Sequence, residues 1–139
     1  MLTGQDDVCL NKAAIIERAL RRMKEEYTAD PQLKNYTHID ALILNIERAC
    51  QAAIDLAMHL VTKNRLGMPQ NRAEAFKLLF KAGIIREQTA RDMVAMTGFR
   101  NVAIHEYQSL SMNVVHMIAG EKWESLVAFC KETGTVIQP

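Results

Sequence analysis

Material for strands, staples and membrane spans is scarce in this sequence. Its 139 residues include only three prolines and six glycines, and β-branched runs are short, which leans the composition towards helix and leaves little for a sheet. Cys9, Cys50 and Cys130 are odd in number, far apart and without a C-x-x-C pair. That excludes a disulfide framework and gives no zinc-ligand spacing; small buried thiols in a reducing compartment are the plain reading. No apolar run approaches the ~20 residues a spanning helix needs, and the richest, "AAIDLAMHLV", is interrupted by Asp55 and His59. The opening "MLTGQDDVCL" is acidic and lacks the basic-then-apolar pattern of a secretory signal, so a cytoplasmic, membrane-free protein is expected. An excess of one charge is missing too. With a formal net charge of +1, any hold on nucleic acid must come from a local patch.

What is present is the balance of a folded domain. Hydrophobic residues make up 49% and charged residues 24%, enough apolar surface for one core over residues 1–139. A first helix is predicted from Asp7 to Tyr27, with Cys9, Ala13, Ile16, Leu20, Met23 and Tyr27 as its apolar stripe. Arg18, Arg21, Arg22 and Lys24 fall on its other faces and read as solvated surface. Pro31 ends the helix, because it disfavours a helical conformation at Asp30. Thr37 is a plausible N-cap for a long second helix to Asn64, striped by Ile39, Leu42, Ile43, Ile46, Ala49, Cys50, Ala53, Leu56, Ala57, Leu60 and Val61. Gly67 suits the left-handed position beyond it. Asn71 opens a short third helix, with Glu74 reaching back and Phe76, Leu79 and Phe80 inward, closed by Gly83. A fourth runs from Arg86 to Tyr107, with Ala90, Met93, Val94, Thr97, Asn101 and Ile104 along one side. A fifth covers Ser111 to Thr133, with a break predicted near Gly120. The sequence predicts an all-α bundle of about five helices.

Few familiar sites survive inspection. His105-Glu106 opens like H-E-x-x-H, but Ser109 stands where the second histidine belongs. Glycine-rich phosphate loops, G-x-S-x-G and D-x-D are all missing. Asp55 and His59, four apart, would make half a metal site, but no second pair is visible and an intrahelical hydrogen bond is the stronger reading. The remaining candidate is "GFRNVAIHEY", Gly98 to Tyr107. At 100° per residue Arg100 and Tyr107 project in nearly the same direction, His105 lies about 140° round, and Asn101 falls between them. An intact helix makes these a strip rather than a point. Closing it requires a helix end near His105 or a second copy of the strip. The residue types suit RNA cleavage: histidine transfers protons near neutral pH, arginine clamps phosphate and stabilises charge on its oxygens, and asparagine orients either. No metal or cofactor is called for.

The signature R-x4-H-x-Y in "GFRNVAIHEY", with "IERACQAAIDLAMHLV" and "LGMPQNRAEAFKLLFKAGII" before it, resembles HEPN-domain ribonuclease toxins of the HepT-like branch. Their partners are minimal nucleotidyltransferase (MNT) antitoxins. The resemblance covers roughly residues 39–107. It implies a HEPN-like up-and-down bundle and a metal-independent endoribonuclease of a type VII-like toxin–antitoxin pair. It makes Arg100 and His105 the catalytic pair, Asn101 a substrate-positioning residue and Tyr107 the acceptor of AMP from the antitoxin. A homodimer with both strips lining one cleft is implied as well. Asp55 is carried as a second-shell partner of these groups. The alternatives are a non-catalytic HEPN-like nucleotide- or RNA-binding scaffold for a nucleotidyltransferase, and a structural helical bundle.

Overall fold

Two long helices pack side by side and form the base of the molecule. In the computed structural model, which describes residues 6–105 and 110–139, α1 spans Asp7–Ala29 and α2 spans Tyr36–Lys63. Helix α3 follows at Arg72–Lys81, α4 at Glu87–His105, α5 at Met112–Met117 and α6 at Glu124–Glu132. Among the described residues there is no strand. The predicted fifth helix is two, α5 and α6, joined by a π-helical stretch over Ile118–Lys122 that includes Gly120. The extra residue per turn in such a stretch lets the chain change direction without a loop.

The apolar stripes of α1 and α2 are buried as the sequence predicts. Cys9, Ala13, Ile16, Leu20 and Met23 of α1 meet Leu42, Ile43, Ile46, Ala49, Ala53, Leu56 and Leu60 of α2 within one apolar cluster. That cluster also takes in Phe76 and Leu79 of α3, Met93 and Met96 of α4, and Leu126, Phe129 and Cys130 of α6. Phe76 and Phe129 meet edge to face, ring centroids 5.4 Å apart. Tyr27 closes the α1 stripe half-buried, its hydroxyl 3.0 Å from Nδ1 of His116 on α5.

Helix ends show where local chemistry departs from expectation. Asn35, not Thr37, caps α2, its Oδ1 accepting from the Thr37 N–H at 2.9 Å. Beyond α2 two residues take a positive φ, Arg65 (φ 53°) and, as expected, Gly67 (φ 129°); Arg65 is the one that closes the helix. Its N–H donates to Thr62 and that of Leu66 to Val61, the paired bonds that close a helix C-terminus. Asn71 caps α3 through the Glu74 N–H, as predicted, while the Glu74 carboxylate accepts from Gln70 N–H instead of the cap's own. The N-terminus of α4 is served from a distance. Glu132 of α6 accepts from the Arg86 N–H at 2.8 Å, Arg86 Nε at 3.1 Å and Thr89 Oγ1 at 2.7 Å, placing negative charge where the helix dipole is positive.

The inward assignment of Phe80 and the single side read on α4 need correcting. Phe80 is 40% exposed, and on α4 Asn101 and Ile104 face outward. The buried side of α4 is Thr89, Ala90, Met93, Met96, Thr97, Phe99 and Ala103. At the C-terminal end, the single tryptophan, Trp123, joins the π stretch to α6 and packs against the core. The Lys24 ammonium lies 4.6 Å from its ring centroid and donates to the carbonyl oxygen of Pro139 at 3.3 Å. No helix among the described residues is long and apolar enough to cross a membrane.

Candidate functional site

The middle of α2 holds the polar groups against which the signature helix is set. Glu47 and Gln51 are one turn apart and share a side of α2, with the buried Cys50 beside them. Arg100, half-buried on α4, faces this segment. Its positive charge is felt by both Glu47 and Cys50, although burial outweighs it at each. Desolvation pushes the Glu47 carboxyl above the usual range, with Arg100 pulling the other way. The Cys50 thiol is pushed up to about 12 by burial, which keeps it protonated and inert as a nucleophile.

The hydrogen-bond inventory here is incomplete in an informative way. Among the described residues, Nε of Arg100 and Oε1 of Gln51 are both buried without a partner. A buried polar atom left unsatisfied costs free energy, so one on each of two packed helices offers a ligand bonds that the protein leaves unmade. Asn101 is exposed beside Arg100, and His105 is the last residue of α4. Tyr107 lies outside the described residues. Sequence inspection missed Glu47 and Gln51. Nothing in the spacing of a 28-residue helix says which of its polar positions will face another helix.

Among the described residues, Asp55 touches this arrangement through Gln51. Its carboxylate accepts from Lys12 Nζ at 3.3 Å and Gln51 Nε2 at 2.8 Å, so its partners are α1 and its own helix. The predicted bond between Asp55 and His59 is not formed. His59 Nε2 lies 2.7 Å from Oδ2 of Asp6, which also accepts from Lys63 Nζ at 3.1 Å. The other Asp6 oxygen, Oδ1, accepts from the Cys9 N–H at 2.8 Å as the cap of α1. Asp6, Cys9 and His59 thus bring metal-ligand atoms within 4.8 Å of one another. Here they work as a cap and an ion pair, roughly 13 Å along α2 from Cys50 at 1.5 Å per residue.

Residues 14–133 match the family described as Ribonuclease HepT-like. The chain belongs to that family. Among its HepT relatives, the mRNA nuclease HepT of Shewanella oneidensis is 36% identical over 115 residues, 81% of this chain and 86% of that protein. The tRNA nuclease HepT of Aphanizomenon flos-aquae is 30% identical over 105 residues, 74% and 71% of the two chains. The solved structure of the tri-AMPylated Shewanella oneidensis HEPN toxin in complex with MNT antitoxin superposes with a TM-score of 0.87. It is 31% identical, and the match covers 92% of this chain and 97% of that one. The all-α HEPN fold is therefore that of this HepT-like chain.

Proposed function

We propose that this protein is an endoribonuclease toxin that cleaves RNA without a metal and is silenced by AMP transfer from a cognate MNT-type nucleotidyltransferase. The observation that carries the reading is the buried guanidinium nitrogen of Arg100, which has no partner among the described residues, on the signature helix of a HepT-like chain. Two HepT relatives named as nucleases, one for mRNA and one for tRNA, support the reaction class. The AMPylated toxin in complex with its MNT antitoxin supports the partner and the modification.

In this mechanism Arg100 holds the scissile phosphate by its fork of N–H groups and stabilises the charge that builds on the phosphorane. His105 removes the ribose 2′-OH proton as that oxygen attacks phosphorus, and a histidine returns a proton to the departing 5′-oxygen. The products are a 2′,3′-cyclic phosphate and a 5′-hydroxyl. Asn101 positions the substrate. A homodimer pairing two Arg100–His105 strips across a two-fold axis supplies both a base and an acid, which one strip on one helix does not. Tyr107 is the AMP acceptor; it stands seven residues past Arg100 in the sequence, so its adenylate phosphate would compete with RNA for the same cation.

The test is cleavage of a defined RNA in EDTA. Wild type should yield cyclic-phosphate ends and sediment as a dimer, and His105→Ala should lose ~10²–10⁴-fold in rate. Tyr107→Phe should cleave but escape silencing by the partner and ATP. Activity that vanishes on chelation and returns with magnesium would overturn the metal-free mechanism.

A further inference from the structure

The cations of α1 are divided between two sides of the helix. Arg21 donates to the Gln138 carbonyl at 3.2 Å, and Lys24 is held by Pro139 and Trp123. Arg18 and Arg22 turn the other way, into a groove of about 320 Å³ between α1 and α2 that also receives Arg48. Ile15, Ala19 and Asn45 complete its lining, so it presents three guanidinium groups and no carboxylate. On a chain of net charge +1 this is the local positive patch that overall composition withholds. Arg22 is partly neutralised by Glu25, at 2.6 Å. Arg18 and Arg48 are exposed and, among the described residues, make no ion pair.

The groove adjoins the site through one short segment of α2. Asn45 and Arg48 look into it, whereas Glu47 and Cys50, interleaved with them, look towards Arg100. Groove and site are thus separated by the thickness of a single helix, about 10–12 Å with side chains, which a short length of single strand can cross. We propose that Arg18 and Arg48, with Arg22 in support, bind the phosphodiester backbone of single-stranded RNA beside the scissile phosphate. They would set the strand's register on Arg100 and read no base. Fork-shaped, permanently charged groups on a concave surface suit phosphate oxygens, and such contacts supply affinity and position without sequence information.

The inference rests on the RNA-cleaving reading, and the experiment separates the two. A fluorescent 2′-O-methyl RNA 20-mer has no 2′-OH nucleophile, so its binding to the full chain is measured with no cleavage. Arg18→Ala/Arg48→Ala should bind roughly tenfold more weakly at low salt. The slope of log affinity against log salt should fall by about 1.4, from about 0.7 per lost single-strand phosphate contact. Arg18→Lys/Arg48→Lys should recover most of the affinity, and Arg21→Ala should match wild type. On cleavable RNA the double alanine variant should raise KM by more than it lowers kcat. If it binds the 20-mer as wild type does, the groove proposal is overturned, even with nuclease activity intact. Loss of the nucleotidyltransferase in its place would reassign the arginines to a protein partner. If wild type binds but cuts no RNA, the nuclease reading falls and the groove stands.

Discussion

Helix α2 carries two polar clusters that differ in one respect. Near its C-terminal end, His59 and Lys63 converge on Asp6, whose other oxygen caps α1. Near its middle, Glu47 feels the Arg100 charge, and two buried atoms, one on Gln51 and one on Arg100, have no partner among the described residues. Both clusters put a carboxylate near cations between helices. The first spends its polar groups on holding two helix ends together; the second keeps hydrogen-bonding capacity unused at a cost in stability. Titratable residues at a helix junction therefore do not identify a site. Unmet hydrogen-bonding capacity does, because it is what a substrate can satisfy.

The largest effect that would sharpen this contrast is at Arg100. Arg100→Ala should lower kcat by ~10²–10³-fold, the scale for losing one charge-stabilising donor group. The melting temperature should stay within a few degrees, since the side chain removed was incompletely bonded. A large thermal loss with equal loss of all activity would make Arg100 a structural residue and break the comparison. The next effect is smaller. Gln51→Met removes a buried unsatisfied acceptor at nearly constant volume but also the Nε2 bond to Asp55, so stability measured in urea should change by no more than about 1 kcal/mol. Cleavage should slow by up to about tenfold, equivalent to ~1.4 kcal/mol in the barrier. A variant that is destabilised and fully active would show that Gln51 only braces α2.

The smallest effect is expected at the other cluster, and only on stability. Hydrogen bonds from the Cys9 N–H and His59, with Lys63 helping, hold the Asp6 carboxyl far below the usual carboxylate range. A depressed folded value contributes stability above the unfolded pKa, about 3.9, which is lost as pH falls towards the folded value. Asp6→Asn keeps a capping oxygen and loses the charge. It should melt a few degrees lower at pH 6, with the gap narrowing below about pH 4 and cleavage at 25 °C unchanged. A fall in kcat without unfolding would mean that the two ends of α2 are coupled.

Much of the framework was legible because α1 and α2 separate apolar and polar faces cleanly. The stripes read from Cys9 to Met23 and from Ile39 to Val61 are the buried ones. Helix α4 resisted the same treatment. Ala90, Met93, Val94, Ala95, Met96, Phe99, Val102, Ala103 and Ile104 surround its axis, so periodicity alone does not select a face. Its inward side is decided by the shapes of α2, α3 and α6, which no local window contains. Arg65 in a left-handed conformation was hidden for a related reason: the side-chain cost there is small enough for tertiary closure to override it. Of the site, the Arg100 signature was visible as a pattern, and Glu47 and Gln51 became visible only when α2 and α4 met.

Trp123 has a consequence for measurement. It is the sole indole in the chain, and its ring lies under the Lys24 ammonium at the join between α1 and the C-terminal helices. Its fluorescence therefore comes from one place, outside the signature and sensitive to whether α1 remains seated there. The molecule carries its own optical gauge of docking, against which a variant that has merely come apart can be told from one that has lost its chemistry.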